Sequence, residues 1–173
     1  LGKDTHALSE PAFASAITVL IANNVPVVIQ ADDGFTPTPV ISRLIIVHNK
    51  THKDQADGLI ITPSHNPPTD GGIKYNPPHG GPAEGEITKV IEQRANEIIA
   101  NKLVDVKRVH YTQALQSSQL SHENFIEFYV NELNQVIDME AIAKAGVHMG
   151  VDPLGGSGIH YWPVIAQKYG LKL

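Results

Sequence analysis

Short apolar runs alternate with segments of helical periodicity along the first half of the chain. Residues 25–30 and 59–61 form compact aliphatic runs, which are typical of buried strands. Residues 1–4 resemble the end of another strand. Apolar positions recur at helical spacing between these runs. The order of strand, helix, strand, helix and strand predicts an α/β fold with an at least partly parallel sheet.

Turn and capping residues predict where the two helices begin and end. Ser9 is suited to cap the first helix, and Asn23-Asn24 is suited to stop it. Thr38 is suited to cap the second helix, with Pro39 in its first position. The preceding Thr-Pro-Thr-Pro stretch is therefore better explained as a rigid helix entry than as part of a catalytic site. The polar segment 48–57 is predicted to be a surface loop.

The remaining periodicity predicts a strand, a connection and three further helices before residue 146. These are a strand at 72–76, a long amphipathic helix with apolar positions from Ile87 to Ile99, an extended connection or strand at 104–111, a helix from a cap at Ser121 through Leu133, and a short helix from Asp138 to Gly146 with Ile142 buried.

The strand-to-helix pattern restarts at Val147. Residues 147–151 are predicted to form a strand, followed by a glycine-rich turn and a helix over about 161–169. We therefore predict a first domain over residues 1–145 and the beginning of a second over 146–173, which is too short to bury a core alone. Residues 1–4 resemble the end of a strand and residues 171–173 the start of one. Both ends are therefore expected to continue in a longer polypeptide.

Composition narrows the classes of function. The 173 residues carry a formal net charge of -5, with a sequence pI near 6.0. This balance gives no electrostatic footprint for nucleic acid or an anionic membrane surface. The chain contains no cysteine, which excludes disulfides and thiolate chemistry. No apolar run is long enough to span a bilayer and no signal-like segment opens the sequence, so a cytoplasmic protein is predicted.

The loop after residues 59–61 holds the strongest candidate chemistry. Thr62-Pro63-Ser64-His65-Asn66-Pro67-Pro68 displays a hydroxyl, an imidazole and a carboxamide on a segment that its prolines stiffen. An ordinary polar loop is the alternative. Hydrolase chemistry is less favoured, because adjacent side chains of an extended segment point to opposite sides and no nucleophile elbow is present.

A second glycine-rich stretch, Gly155-Gly156-Ser157-Gly158, also follows a predicted strand. Such a stretch can cradle phosphate, but this one lacks the Gly-Lys-Ser/Thr ending of a P-loop and the spacing of a dinucleotide fingerprint. A tight turn is therefore predicted.

The loop and its flanks resemble a known family. Pro63-Ser64-His65-Asn66-Pro67, followed by Asp70-Gly71-Gly72-Ile73-Lys74-Tyr75-Asn76, is similar to the active-site loop of the α-D-phosphohexomutases. Residues 75–83 are most similar to the bacterial glucose-specific phosphoglucomutases. The resemblance continues through residues 2–6, 34–39 and 151–158 and covers nearly the whole chain.

The resemblance implies a fold, a reaction and roles for four residues. The implied fold is a three-layer α/β/α sandwich with a mixed, mainly parallel sheet, plus a partial second domain. Ser64 would carry the phosphoryl group that interconverts glucose 1-phosphate and glucose 6-phosphate through glucose 1,6-bisphosphate. Lys74 would shuttle the proton of the sugar hydroxyl, while His65 and Asn66 would hold the loop and the phosphate. Mg²⁺ would take a phosphate oxygen on Ser64 as one ligand.

The resemblance also leaves parts of the family pattern unmatched. His6 stands where many relatives carry arginine, which weakens any role for His6 in binding phosphate. The family's acidic metal loop, its sugar-recognition loop and its C-terminal phosphate-binding domain have no counterpart in this sequence. We therefore expect a fragment with little or no mutase activity alone.

Several alternatives stay open. Mannose or glucosamine phosphate is an alternative substrate to glucose phosphate. A non-catalytic module that binds phosphorylated ligands or a protein, with Ser64 unmodified, is the alternative from another class. The resemblance is also compatible with a homodimer of the full-length protein.

Overall fold

The computed structural model describes residues 1–173, in which short strands alternate with helices. The five strands are β1 (Gly2–Lys3), β2 (Val27–Gln30), β3 (Gly58–Ile61), β4 (Ile73–Asn76) and β5 (Leu120–Glu123). The α-helices are α1 (Ser9–Ala22), α2 (Thr38–Thr51), α3 (Gly85–Ala100), α4 (Tyr111–Leu115), α5 (Phe125–Glu132), α6 (Met139–Ala145) and α7 (Tyr161–Tyr169). Single 3₁₀ turns follow β2 at Ala31–Asp33 and α5 at Leu133–Gln135.

The strands form a mixed and mainly parallel arrangement. β1 pairs with β3 in parallel, and β4 pairs with the other edge of β3 in antiparallel direction. β2 pairs with β5 in parallel. The pairings give a three-stranded sheet in the order β1, β3, β4 and a two-stranded sheet of β2 and β5. The main-chain nitrogen of Leu1 donates to the carbonyl oxygen of Val28 at 2.9 Å, which places the two beside each other as one layer. The predicted α/β class with a mixed, mainly parallel sheet is confirmed.

Helices cover both faces of this sheet. Ile60 and Ile61 are consecutive residues of β3 and belong to two different core clusters. Since successive strand residues point to opposite faces, the two clusters lie on opposite sides of the sheet. One cluster joins β3 to α2, α5 and α7, and the other joins it to α1 and β2. The strand that leads into the candidate loop is therefore the buried centre of three layers.

The helix starts differ by one residue from the predicted caps. α1 begins at Ser9 itself, and Leu8 occupies the cap position without a side-chain bond. The Ser9 hydroxyl instead donates to Asp4, so it is not available for capping. α2 likewise begins at Thr38, with Pro37 at the cap position and Pro39 in the first turn. The second helix also continues through residue 51, four residues into the predicted polar loop.

Three predictions for the second half were wrong. Ser121 lies in β5 and pairs with Val28, because hydrogen bonding to β2 draws residues 120–123 into a strand. The following helix is capped by Asn124, whose side chain accepts from the main-chain nitrogen of Glu127 at 3.0 Å. Ile142 is exposed rather than buried, since α6 is a short helix whose buried residue is Met139. The predicted strand 147–151 is reduced to a single bridge between His148 and Lys172.

Other predicted segments have simpler outcomes. Residues 104–110 form an irregular connection, which was one of the two alternatives. The long amphipathic helix is present as α3, but none of its residues is buried. Two core residues, Tyr161 and Ile165, lie on α7 and pack into the same cluster as α2. The boundary at residues 145 and 146 stays a prediction. None of the helices combines the length and apolar character that crossing a membrane requires.

Candidate active site

The candidate loop is closed at its base by the hairpin of β3 and β4. Ile61 pairs with Ile73, and beyond that pair the main-chain nitrogen of Thr62 donates to the carbonyl oxygen of Gly72 at 2.9 Å. A Cβ atom added to Gly72 would lie only 2.6 Å from the carbonyl oxygen of Thr62. Residue 72 therefore has to be glycine for the two ends of the loop to approach so closely.

The hairpin brings Lys74 back to Ser64. The Nζ atom of Lys74 donates to the Oγ atom of Ser64 at 2.5 Å. Ser64 is exposed, and Lys74 is half-buried on β4. A serine oxygen that is open to solvent and faces an ammonium group can attack an electrophile or carry an anionic group, because the adjacent positive charge stabilises negative charge at that position.

The backbone at Ser64 is held in an unusual conformation. Its φ angle is 67°, in the left-handed region that costs a non-glycine residue about 1 kcal/mol. The Oγ1 atom of Thr62 accepts from the main-chain nitrogen of Ser64 at 3.0 Å and donates to Asp4 at 2.5 Å. The threonine hydroxyl therefore links the turn at Ser64 to a carboxylate on the neighbouring part of the sheet.

That carboxylate, on Asp4, is the centre of the hydrogen bonding beneath the loop. It is buried and accepts from the hydroxyls of Ser9 and Thr62, both at 2.5 Å, and from the main-chain nitrogen and Nδ1 of His6, at 3.0 and 2.8 Å. Burial alone would raise the pKa of Asp4, but the bonds from Ser9, Thr62 and His6 together lower it below its ordinary value. Asp4 is therefore an ionised acceptor.

His6 joins Asp4 to the far side of the loop. Its Nε2 atom lies 2.9 Å from the carbonyl oxygen of Asn66, and its Nδ1 atom faces Asp4. The bond to the Asn66 carbonyl is the largest influence on the pKa of His6; burial opposes it, and the negative charges of Asp4 and Asp70 add to it. The net effect raises the pKa of His6 above its ordinary value.

The two other predicted site residues are exposed beside Ser64. The side-chain nitrogen of Asn66 donates to the carboxylate of Asp70 at 3.1 Å, a bond within the loop. No hydrogen bond joins the His65 side chain to the rest of the chain, and its imidazole faces solvent. The predicted roles of His65 and Asn66 in holding phosphate stay predictions, as do those of Ser64 and Lys74.

Lys3 lies close to this network but its charge is already neutralised. Its side chain is 1% exposed, and Nζ bonds the carboxylates of Glu10 and, at 2.7 Å, Asp33. Lys3 therefore does not supply free positive charge to an anion bound at the loop. Lys74 is the lysine that reaches the candidate nucleophile.

Residues from one part of the sequence supply the loop, and residues from a distant part hold it. Sequence reasoning identified Ser64 and Lys74 but assigned no role to Asp4 or Thr62, which lie 58 residues apart and bond each other. The available signals were the position of Asp4 at the end of the strand-like segment 1–4 and the family resemblance of residues 2–6. No group of three or more His, Cys, Asp or Glu side chains in the chain is placed to hold a metal ion.

Fold and site together define an α/β sandwich domain with a serine and lysine pair on a loop at the end of its central strand. The family description "Phosphoglucomutase/phosphomannomutase, alpha/beta/alpha domain I" matches residues 1–102. The chain belongs to this phosphoglucomutase/phosphomannomutase family.

Individual relatives agree with this assignment. A phosphoglucomutase from Komagataeibacter xylinus is 53% identical over 173 residues, which are 99% of this chain and 31% of the relative. A phosphoglucomutase/phosphomannomutase from Thermococcus kodakarensis is 28% identical over 173 residues, 100% of this chain and 34% of the relative. The chain therefore spans about a third of the length of these curated relatives.

The fold is also found in a solved structure. The open form of parafusin, a phosphoglucomutase from Paramecium, superposes with a TM-score of 0.74 at 20% identity, covering 99% of this chain and 34% of that one. At this identity the likeness concerns the fold alone.

Proposed function

We propose that this chain is the phosphoserine-carrying part of a phosphoglucomutase that interconverts glucose 1-phosphate and glucose 6-phosphate. The observation that carries the proposal is the contact between Nζ of Lys74 and Oγ of Ser64, on a loop that the Asp4 carboxylate holds from below. The bacterial relative that is 53% identical and named phosphoglucomutase supports the choice of reaction.

In the proposed reaction, phospho-Ser64 donates its phosphoryl group to a hydroxyl of the bound hexose phosphate. The hydroxyl oxygen bonds to phosphorus, the bond between phosphorus and Oγ of Ser64 breaks, and glucose 1,6-bisphosphate forms. The hydroxyl proton passes to Nζ of Lys74, which must first have given up one proton of the ammonium form that faces Ser64. After the bisphosphate has turned around, its other phosphoryl group returns to Ser64 and leaves the isomeric product. Such transfer depends mainly on positioning and charge neutralisation.

Mg²⁺ is part of the proposal as a cation that neutralises phosphate charge beside Ser64. A phosphate oxygen on Ser64 would be one of its ligands. Mg²⁺ accepts few protein ligands and prefers hard oxygens, so an exposed phosphoserine fits it. Because no set of ligating side chains surrounds Ser64 in this chain, the remaining protein ligands would come from the rest of a longer polypeptide.

The proposal also covers the substrate, the activity of this chain alone, and the location and oligomeric state of the full-length protein. The substrate is a hexose phosphate, and recognition of the sugar and of its distal phosphate is assigned to parts of the polypeptide outside these residues. We accordingly expect this chain alone to turn over more than about tenfold more slowly than a complete mutase. The same proposal includes a cytoplasmic location and a homodimer of the full-length protein. A relative from Mesembryanthemum crystallinum that is 33% identical is named "Phosphoglucomutase, cytoplasmic", which supports the location.

The experiment that tests the proposal is peptide mass mapping of the longer polypeptide that contains this chain, after incubation with glucose 1,6-bisphosphate and Mg²⁺. We expect about 80 Da, one phosphoryl group, on the peptide that contains Ser64. Ser64→Ala removes the acceptor oxygen and should abolish the label, whereas Ser118→Ala, at an exposed serine far from the loop in sequence, should not change it.

The same experiment separates the alternatives. A chain that binds hexose phosphate equally well with Ser64→Ala and never becomes labelled would be a non-catalytic binding module. Labelling by mannose 1,6-bisphosphate in preference to the glucose compound would move the substrate to mannose phosphate.

A further inference from the structure

The imidazole of His6 lies between two hydrogen-bond acceptors. Nδ1 is 2.8 Å from Oδ2 of Asp4, and Nε2 is 2.9 Å from the main-chain oxygen of Asn66. A carbonyl oxygen can only accept. Asp4 can also only accept, because its carboxylate is ionised and already receives bonds from two hydroxyls, on Ser9 and Thr62.

The protonation state of the ring follows from these partners. A neutral imidazole carries one N–H and can satisfy only one of two acceptors, whereas an imidazolium carries two N–H groups and satisfies both. The His6 side chain is 14% exposed, and its contact with Asp4 is partly buried. Both contacts at hydrogen-bond distance therefore require the charged ring.

We propose that His6 is a positioning residue of the phosphoryl-transfer loop, held as an imidazolium that clamps the main chain at Asn66 to the carboxylate of Asp4. The clamp acts two residues beyond Ser64. The Thr62 hydroxyl anchors the same loop two residues before Ser64, and it bonds the same oxygen of Asp4. Ser64 is thus held from both sides by one carboxylate.

The clamp should depend on pH in a defined direction. The charged groups that face the ring are the carboxylates of Asp4, on the same strand end, and of Asp70, on the loop, and both are negative. They favour the imidazolium, together with the carbonyl of Asn66, and the pKa of His6 is raised above 6.5. The clamp is therefore fully present below pH 6.5 and is lost as the pH rises through the higher pKa of the folded protein.

The first test is nuclear magnetic resonance of the chain labelled with ¹⁵N-histidine. The ring of His6 is identified as the signal that disappears in His6→Gln. We expect both of its nitrogens to be protonated at pH 6, with a midpoint above about 6.5. The amide signals of Ser64 and Asn66 should shift with the same midpoint. A neutral ring at pH 6, or loop amides that do not respond to its titration, would overturn the proposal.

Two variants separate the arms of the clamp. The side-chain nitrogen of His6→Gln can take the place of Nε2 and still donate to Asn66, whereas that of His6→Asn can take the place of Nδ1 and donate only to Asp4. We expect hydrogen exchange at the Ser64 amide to become about tenfold faster in His6→Asn, as expected for one lost charge-assisted bond. His6→Gln should stay close to the wild type, and neither variant should show the pH step.

Equal exchange in the two variants would contradict a clamp on Asn66. If either variant does not fold, the titration of the wild-type chain still tests the clamp. The His6 signal can then be assigned from ring-to-backbone connectivities, without any substitution. The effect of the clamp on catalysis rests on the proposed function of Ser64. The titration of the His6 ring and of the loop amides does not depend on that function. If Ser64 stays unlabelled while His6 titrates as expected, the result counts against the proposed function and not against the clamp.

Discussion

The loop from Thr62 to Gly72 and the turn from Pro153 to Gly158 both follow an extended segment and are both rich in proline or glycine. The loop is bonded to Asp4 on one side and closed by Gly72 on the other. The turn is bonded mainly to itself. The main-chain nitrogen of Leu154 donates to the side-chain carboxylate of Asp152, and the main-chain nitrogen of Gly156 donates to the carbonyl oxygen of Pro153. Leu154 is 88% exposed.

The difference between the two segments lies in their anchoring and not in their composition. Each contains a non-glycine residue with positive φ, Ser64 at 67° and Leu154 at 52°. Only at Ser64 is the strained residue tied to a buried charged group by way of a second side chain. A strained conformation persists reliably where surrounding contacts determine it, so the anchored loop is the better candidate for chemistry.

The largest effect on the anchored loop is expected from Asp4→Ala, which removes the carboxylate that anchors it. Four donors would lose their acceptor in a buried position, so we expect the free energy of unfolding to fall by about 3 kcal/mol. Urea denaturation measures this loss. The exposed Asp54→Ala, whose side chain makes no such bonds, is the matched control and should stay within about 0.5 kcal/mol of the wild type.

The pH dependence of this loss has a definite sign. The pKa of Asp4 is lowered in the folded chain from its ordinary value of 3.8. Its contribution to stability is therefore fully present above pH 3.8 and disappears as the pH falls through the lower pKa of the folded state. The difference in unfolding free energy between wild type and Asp4→Ala should close in acid, and the part of it that comes from the His6 imidazolium should also be lost as the pH rises through the raised pKa of His6. A gap that stays constant down to the lowest pH at which the chain folds would contradict the role of the charge.

Much of the fold around the loop could be predicted from local pattern. The β3 run, the stiff loop and the return of Lys74 are all contained in one stretch of sequence. β5 was missed because Leu120-Ser121-His122-Glu123 shows no strand pattern of its own and becomes a strand by pairing with β2. The burial of an amphipathic face also depends on a partner, and α3 has no buried residue despite its apolar positions.

The anchor of the site could not be predicted for a related reason. Ser64 and Lys74 are ten residues apart, whereas Thr62 and Asp4 are 58 residues apart. Only the parallel pairing of β1 with β3 brings the latter two together. Local sequence therefore identifies the groups that could react, while tertiary pairing decides which residues hold them.

A smaller effect is expected from changing the closure of the loop with Gly72→Ala. The new Cβ would lie 2.6 Å from the carbonyl oxygen of Thr62 and 2.9 Å from Cα of Pro63, both main-chain atoms that cannot swing away. We expect a loss of about 2 kcal/mol in unfolding free energy, together with slower labelling of Ser64.

Gly71→Ala is the control for this closure. Its Cβ would lie 3.4 Å from the side chain of Leu8, which is an ordinary contact, so the change should stay within about 0.5 kcal/mol. Equal losses at positions 71 and 72, in urea denaturation of the two variants, would show that the tight approach at the base of the loop is not what the chain depends on.

The smallest effect is expected in the turn, where Gly155→Ala tests whether that segment is held by anything beyond its own backbone. Gly155 has a φ angle of 74° and no atom within 4 Å of an added Cβ. Alanine there should cost about 1 kcal/mol from the left-handed backbone alone. Gly150→Ala, which meets no atom and has no positive φ, should be nearly neutral. Both variants should leave the amide signals of Ser64 and Asn66 unchanged, because no hydrogen bond joins the turn to the loop. A loss at Gly155 as large as that at Gly72, or a response of the Ser64 amide, would mean that the turn is anchored too and that the contrast between the two segments does not hold.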